Sequence, residues 1–348
     1  MDQGKLAALR EKYADAPADH IDDPHFRAVA DGLFTAPGQR PLPYSGIPTL
    51  LDFPHQESFE ELDIALVGVP MDLAVTNRPG ARFGPRALRT IERVGPYHHA
   101  LKVAPKLEAR IADVGDVPFR SRFDLHACIE DIEAHFRRLR AAGVRTLAAG
   151  GDHSITHPIM RALGADRPLG MVHIDAHCDT GGVMEGEKFT HGGPFRNAVL
   201  DGVLDPERCI QIGIRGSSEY IWEFSYDAGM TVLHAETVDE LGIDAVIARA
   251  REVVGDGPVY ITLDVDGIDP AYAPGTGTPE VGGLTPREVQ RLLRGLVGLN
   301  VVGGDVVEVA PEYDPSHNTA HVGAQMLFEI LSVMVLSPER APERAPER

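Results

Sequence analysis

The sequence predicts an α/β fold, and three observations predict it. Apolar runs such as Ile64 to Val69, Leu169 to Ile174 and Val301 to Val307 are apolar on every residue or nearly so, which suits strands buried on both faces, as in a parallel sheet. Helical signals alternate with these runs from Leu62 onward with no low-complexity linker until the end, as a single α/β unit requires. Short clusters of aspartate and histidine follow several of the runs, and in open α/β sheets ligands bind beyond the carboxyl ends of the strands.

Along the chain, residues 1–55 read as an arm. It holds a short charged helix at Lys5 to Tyr13, Pro- and Asp-rich turns, a second short helix near His25 to Leu33, and Pro-rich chain to Pro48. Residues 56–336 read as one domain, opening with the strand Ile64 to Val69. In Asn77-Arg-Pro-Gly-Ala-Arg-Phe-Gly-Pro-Arg86, Gly84-Pro85 fits a tight turn with proline in the first helical turn. Its three arginines are expected to pair with carboxylates or serve subunit contacts. A helix at Asp124 to Ala142 and a strand at Arg145 to Ala149 follow, then strands at Leu169 to Ile174, Cys209 to Ile214 and Val259 to Leu263. A helix after Thr285-Pro286 precedes the run Val301 to Val307. Residues 337–348, Pro-Glu-Arg-Ala repeated from Pro338, form a charge-balanced low-complexity tail that builds no core.

Composition narrows the class. With 348 residues, 43% of them hydrophobic, the chain buries a sizeable core. A net charge of −19 argues against nucleic acid, whose binding needs clustered Lys and Arg, and favours a cationic ligand. Three cysteines, at 128, 178 and 209, form no pairing pattern and suggest a reducing compartment. No stretch reaches the roughly 18 apolar residues of a membrane span, and Met1 to Asp15 has no apolar core of a signal peptide. A soluble, cytoplasmic protein without membrane contact is expected.

The clusters carry the chemistry. His153 in Gly-Gly-Asp-His-Ser, Asp175/His177/Asp179 in His-Ile-Asp-Ala-His-Cys-Asp, and Asp264/Asp266 in Leu-Asp-Val-Asp-Gly-Ile-Asp-Pro supply four aspartates and two histidines. Alternate residues of an extended segment point to one side, so each group converges. Left uncompensated, such a cluster costs several kcal/mol per buried charge. Two divalent cations about 3.5 to 4 Å apart would compensate it, with carboxylates bridging them. Mixed carboxylate and imidazole donors favour manganese, nickel, cobalt, iron or zinc over magnesium or calcium. Asp152 and Asp269 read as turn or capping residues. Cys178, between two residues that face the metals, should point away from them.

From about Leu62 to Leu336 these segments, in this order, resemble the ureohydrolase (arginase and agmatinase) family. The resemblance implies a three-layer α/β/α fold on a mainly parallel sheet, two metal ions, manganese by default and nickel as the alternative, and hydrolysis of a guanidino group to urea and an amine. Matched residue by residue, His153 and Asp179 would be terminal ligands of one ion, His177 and Asp266 of the other, with Asp175 and Asp264 bridging. His191, in Phe-Thr-His-Gly-Gly-Pro-Phe-Arg, falls at the family's proton-shuttling histidine, and Glu308, in Asp-Val-Val-Glu-Val-Ala-Pro, at its guanidinium-binding glutamate. Water activated between the ions and oriented by Asp179 would attack the guanidinium carbon. Glu308 would grip the cation, bidentately if both oxygens are free, and His191 would protonate the leaving amine near its ordinary pKa of roughly 6.5.

The loop Thr180 to Thr190 carries Gly-Glu-Lys-x-x-His-Gly-x-Pro-Phe-Arg, which resembles the agmatinase, guanidinobutyrase and guanidinopropionase branch, and lacks the Asn and Ser with which arginases grip an α-amino acid. Thr180, the Gly181-Gly182 pair and Met184 suggest a small or apolar wall. Trp222, the only tryptophan, is a candidate to close over a small cation. The expected substrate is guanidine, an N-alkylated guanidine or a biguanide; agmatinase or guanidinobutyrase activity proper is the alternative. Two other readings stay open: a subunit active only beside a second chain, and an amine deacetylase on the same fold with one zinc. The family's arms cover neighbouring subunits, so a homo-oligomer, trimer or hexamer, is expected.

Overall fold

Strands β1 (Ile64–Val69), β2 (Ile111–Asp116), β3 (Arg145–Gly150), β4 (Leu169–Ile174), β5 (Leu204–Ile214), β6 (Thr231–His234), β7 (Val259–Asp264) and β8 (Val301–Val307) form one sheet in the order β2-β1-β3-β8-β7-β4-β5-β6. Every neighbouring pair is parallel, so the sheet is wholly rather than mainly parallel. The computed structural model describes residues 2–17, 20–33, 45–92 and 94–338. The Pro-rich chain 34–44 and the repeats after Pro338 lie outside them.

Alternation along the strands puts successive side chains into two separate cores. Ile64 and Leu66 of β1, Val172 and Ile174 of β4, and Ile261 and Leu263 of β7 join one core with the helices Ile243–Val254, Pro286–Gly295 and Asn318–Val335. Ala65, Val67, Met171 and Tyr260 join the other with the helices Leu125–Ala141, Thr156–Leu163 and Pro194–Leu200. Both faces of the sheet are therefore covered, and the layers are α/β/α. Helix ends carry the expected signals. Asp124 caps the N-terminus of Leu125–Ala141, and Thr285 with Glu288 forms a capping box ahead of Pro286–Gly295.

The chain divides into two units, Met1–Gly46 and Ile47–Arg348. The first holds the helices Gln3–Tyr13 and Pro24–Leu33, the former with no buried residue. Residues 47–55, grouped with the arm by composition, belong to the second unit: Leu50, Leu51 and Phe53 are buried, and the Leu50 amide donates to Asp113. Among the described residues no helix is long and apolar enough to cross a membrane.

This strand order positions the functional residues. In the central run β3-β8-β7-β4 the pairs β3–β8 and β7–β4 are neighbours in the sheet but far apart in the chain, and each strand carries a candidate residue at or just beyond its carboxyl end: His153, Glu308, Asp264 and Asp175. Between β3 and β4 the chain crosses two strand positions that β8 and β7 later fill, which opens a crevice at that point.

Candidate metal centre and active site

The loop after β3 packs against the loop after β1, and the loop after β7 against the loop after β4, so closely that only glycine fits at the contacts. A Cβ at Gly151 would lie 1.8 Å from the Met71 carbonyl oxygen, and one at Gly267 would lie 2.8 Å from the Asp175 amide nitrogen. Backbone amides then fix the carboxylates. His177 N donates to Asp175 Oδ1 (2.6 Å), Asp266 N to Asp264 Oδ1 (2.8 Å) and Ala176 N to Asp266 Oδ1 (3.1 Å). Arg215 latches the loops after β4 and β7 together, its amide donating to the Ala176 carbonyl and its guanidinium to the carbonyls of Asp266 and Gly267. Asp179 and Glu308 sit at φ 51° and 62°, a region that costs a non-glycine residue about 1 kcal/mol or more and recurs where a side chain must be aimed.

His153 is the centre of one group. Its Nδ1 lies 3.0 Å from Asp179 Oδ2, 3.1 Å from Asp175 Oδ2 and 3.5 Å from Asp264 Oδ2. None of these approaches has hydrogen-bond geometry, and the nitrogen is fully buried. An orphaned imidazole nitrogen facing three carboxylate oxygens is the donor set of a divalent cation. His177 centres the second group, with Nδ1 3.2 Å from Asp266 Oδ2 and 3.4 Å from Asp175 Oδ1. Asp175 thus turns one oxygen to each histidine, the geometry of a bridge, and its carboxylate belongs to both candidate ligand groups. Asp264, the second carboxylate expected to bridge, turns Oδ2 to the His153 side, while its Oδ1 accepts from the Asp266 amide as Asp175 Oδ1 does from the His177 amide. The residues present fit two hard-to-borderline cations.

The electrostatics say the same. Burial, with the charges of Asp266 and Asp175, pushes Asp264 well above the usual carboxylate range, and burial beside Asp175 pushes Asp266 up to about 6. Burial opposes the charge on Asp175 too, but His173, His153 and His177 hold it well below that range. Burial disfavours charge on His177, yet Asp266 and Asp175 push it up to about 12. The site gathers more negative charge than its own residues neutralise.

His191 and Glu308 form a second element. His191 Nδ1 donates to Glu308 Oε1 (2.8 Å), and Nε2 meets both the Thr76 amide (3.1 Å) and the Thr76 hydroxyl (2.7 Å). Burial and the Thr76 amide favour the neutral ring, but Glu308, with Asp179 and Asp152 behind it, outweighs them and pushes His191 up to about 9. The expectation of an ordinary histidine is corrected: this ring is an acid at neutral pH. Glu308 Oε1 also accepts from His153 N (3.0 Å), so both lone pairs of that oxygen are engaged. The bidentate grip expected of Glu308 is therefore not open to it, and Oε2 is the oxygen left for a ligand.

A cleft of about 680 Å³ opens over this floor, lined by His177, Asp179, His191 and Asp264 below and by Gly181, Gly182, Met184 and Trp222 on one wall. Trp222 packs edge-on to His177 at 6.0 Å. Thr180, expected on the same wall, does not reach the cleft; it is fully buried with its hydroxyl 2.7 Å from Ser225 Oγ. Cys178 points away from the carboxylates into a small cluster with Ile214 and Trp222, where burial raises its thiol pKa. Asp152 is a cap, accepting from the Ser154 amide. Of the three arginines, Arg82 pairs with Asp72, whereas Arg78 lines the cleft, donates to the Thr276 and Gly277 carbonyls and lies over the Tyr313 ring at 4.3 Å. Arg86 is exposed.

Several site residues escaped the sequence reading. His173 donates from Nε2 to Asp175 Oδ2 (2.7 Å), because Gln211, whose amide also donates to the Cys178 carbonyl, donates to its Nδ1. Both ring nitrogens are occupied, so His173 braces the bridge rather than ligating. The signal was present: it sits two residues before Asp175, on the same side of the strand. Glu280, 3.9 Å from His177 Nε2, lines the cleft without any distinguishing pattern of its own.

Comparison with known proteins agrees with this geometry. Residues 62–332 match the model of the Arginase family. Guanidinopropionase of Pseudomonas aeruginosa is 48% identical over 301 residues, covering 85% of this chain and 94% of the relative. Mitochondrial agmatinase of Gallus gallus is 47% identical, covering 83% of this chain and 86% of the relative. Among solved structures, the proclavaminate amidino hydrolase of Streptomyces clavuligerus superposes with a TM-score of 0.81 at 37% identity, covering 84% of this chain and 99% of that one.

Proposed function

The chain belongs to the arginase family, as a ureohydrolase of the agmatinase and guanidino acid hydrolase branch, and from that premise we propose how its own residues perform the reaction. One observation carries the reading: Asp175 offers an oxygen to each of two histidines on the floor of a cleft beside His191, whose Nδ1 lies 2.8 Å from Glu308 Oε1. His153 and Asp179 would hold one ion and His177 and Asp266 the other, with Asp175 and Asp264 shared between them, and manganese or nickel suits these donors. Bound there, the ions supply the Lewis acidity that makes water a nucleophile at neutral pH.

The residues do the rest. Glu308 accepts a guanidinium N–H at Oε2 and so fixes the planar group over the floor. Asp179, whose Oδ2 faces His153, orients the attacking water. Water adds to the guanidino carbon and gives up a proton to Asp179, the C–N bond breaks as the nitrogen leaves with a proton from His191, and the water's proton then restores His191, giving urea and an amine. The His191 to Glu308 hydrogen bond keeps that proton available, since the neighbouring carboxylate raises the acid to about 9.

For the substrate, the glycine pair with Met184, Ile221 and Trp222 supports a small guanidine without a carboxylate: guanidine itself, an N-alkylated guanidine or a biguanide. A second reading has its own observation. Arg78 lines the cleft with no carboxylate at ion-pair distance among the described residues, which favours a guanidino acid. Urea release by the purified protein, loaded separately with manganese and nickel, against guanidine, methylguanidines, a biguanide, guanidinopropionate, guanidinobutyrate and agmatine separates them. An alkylguanidine or biguanide turned over best supports the first reading, and a guanidino acid turned over a hundredfold better replaces it with the second. Absence of urea from every compound, with activity restored by a second chain, would make the protein a partner-dependent subunit. One tight zinc per chain would point to amine deacetylation.

A further inference from the structure

We propose that Asp305 is a positioning residue for the metal centre: acting through Thr262, it holds the His153 ring so that Nδ1 presents a lone pair to the carboxylate cluster. The proposal rests on the two-metal reading above and adds a residue to it from the middle of β8, away from the strand ends.

Asp305 is a carboxylate inside a strand buried on both faces, in register with Thr262 on β7 and Ala148 on β3. Among the described residues no lysine or arginine reaches it. Its partners are three hydroxyls: Thr262 donates to Oδ1 (2.6 Å), and Thr156 (2.7 Å) and Tyr260 (2.8 Å) donate to Oδ2. A buried carboxylate with no cation is an expensive way to fill a strand position that valine would fill at no electrostatic cost. Its directionality explains it. An ionised carboxylate only accepts, and a threonine hydroxyl has one proton. That proton is committed to Asp305, so the Thr262 oxygen is left as an acceptor for the group on its other side. This group is His153 Nε2, 2.8 Å away. Nε2 therefore carries the hydrogen and Nδ1 the lone pair, and Nδ1 is the atom that faces Asp175, Asp179 and Asp264. Phe195, edge-on to the ring at 5.2 Å and 90°, bars its rotation. Hydrogen bonding at the second ring nitrogen is the general device by which proteins fix a metal-ligating tautomer. Here the carboxylate acts at one remove, through a hydroxyl.

The test is metal binding by the full chain stripped of metal, titrated with manganese and followed by competition with a chelator. Wild type is expected to take up two equivalents. Thr262→Val keeps the shape and removes the oxygen; it should weaken one of the two ions by about 10- to 100-fold, and Thr262→Ser should restore it. Asp305→Asn should weaken the same ion, because its amide is able to donate to Thr262 and reverse the chain. Unchanged manganese affinity in Thr262→Val, with only a lower melting temperature of the metal-free protein, would mean a structural role and overturn the proposal. Should Thr262→Val not fold, nitrogen-15 NMR of the zinc-loaded wild type reads the tautomer directly. A slowly exchanging proton on His153 Nε2 supports the proposal, and one on Nδ1 overturns it. Wild type binding no manganese at all would instead overturn the metal reading itself.

Discussion

The two histidines of the metal centre sit in opposite surroundings. His153 is wholly buried, held at its backbone by Glu308, at Nε2 by Thr262 and across its face by Phe195. His177, with 19% of its side chain exposed, forms part of the cleft, and beyond Asp175 and Asp266 its ring meets Trp222 edge-on and Glu280 at 3.9 Å. One half of the centre is fixed by the core, the other half faces whatever enters. The contrast teaches that a two-ion site need not be symmetric in function: the same donor types serve as a rigid anchor on one side and as a wall for the substrate on the other.

The most severe way to break the contrast is to remove what both halves share. Asp175→Asn should cost about a thousandfold or more in kcat, several kcal/mol of transition-state stabilisation, and lower the bound metal below two per chain by elemental analysis. Retention of both ions would show that Asp175 is not the bridge. His191→Asn should lower kcat by about 10²- to 10⁴-fold while leaving metal content untouched. More than a tenth of the activity remaining would remove His191 as the acid.

The pH profile sharpens the same assignment. His191 acts in its protonated form, so the rate should fall as pH rises through about 9, and this alkaline limb should be absent from His191→Asn. A wild-type rate still rising beyond pH 9 would contradict it. The smallest effects belong to the open half. Trp222→Ala should change KM among N-substituted guanidines by roughly 10-fold, as for the loss of apolar contact, with metal affinity unaltered. If it also lost an ion, Trp222 would be supporting His177 rather than the substrate.

The buried half was the less legible of the two. The convergence of the six candidate ligands was readable because alternation beside apolar strands leaves few other uses for four aspartates and two histidines. Strands β1, β4 and β8 were readable to the residue for the same reason, since full burial leaves a continuous apolar signal. The edge strands β2 and β6 were not: Ile111–Asp116 is interrupted by Asp113 and ends in Asp116, and Thr231–His234 is four residues long, so neither has the run that double burial imposes. Asp305 was read through as part of an apolar run, although a charge within such a run is itself a signal. Thr180 misled because a wall was assigned by position in a loop, whereas its hydroxyl turns inward to Ser225. The basicity of His191 depends on Glu308, 117 residues away, which no local pattern encodes.

The order of the sheet has a consequence for how the protein comes into being. β8, the last strand made, lies between β3 and β7 at the centre of the sheet, and it brings Asp305 and Glu308 with it. Until it is inserted, β3 and β7 are unpaired edges, and His153 and Asp264 stand on separate halves. Without β8, Asp175, His177 and Asp266 already stand together on the paired strands β4 and β7, whereas His153 on the β3 side is not yet joined to them. Only the complete sheet brings the half built around His153 against the half built around His177.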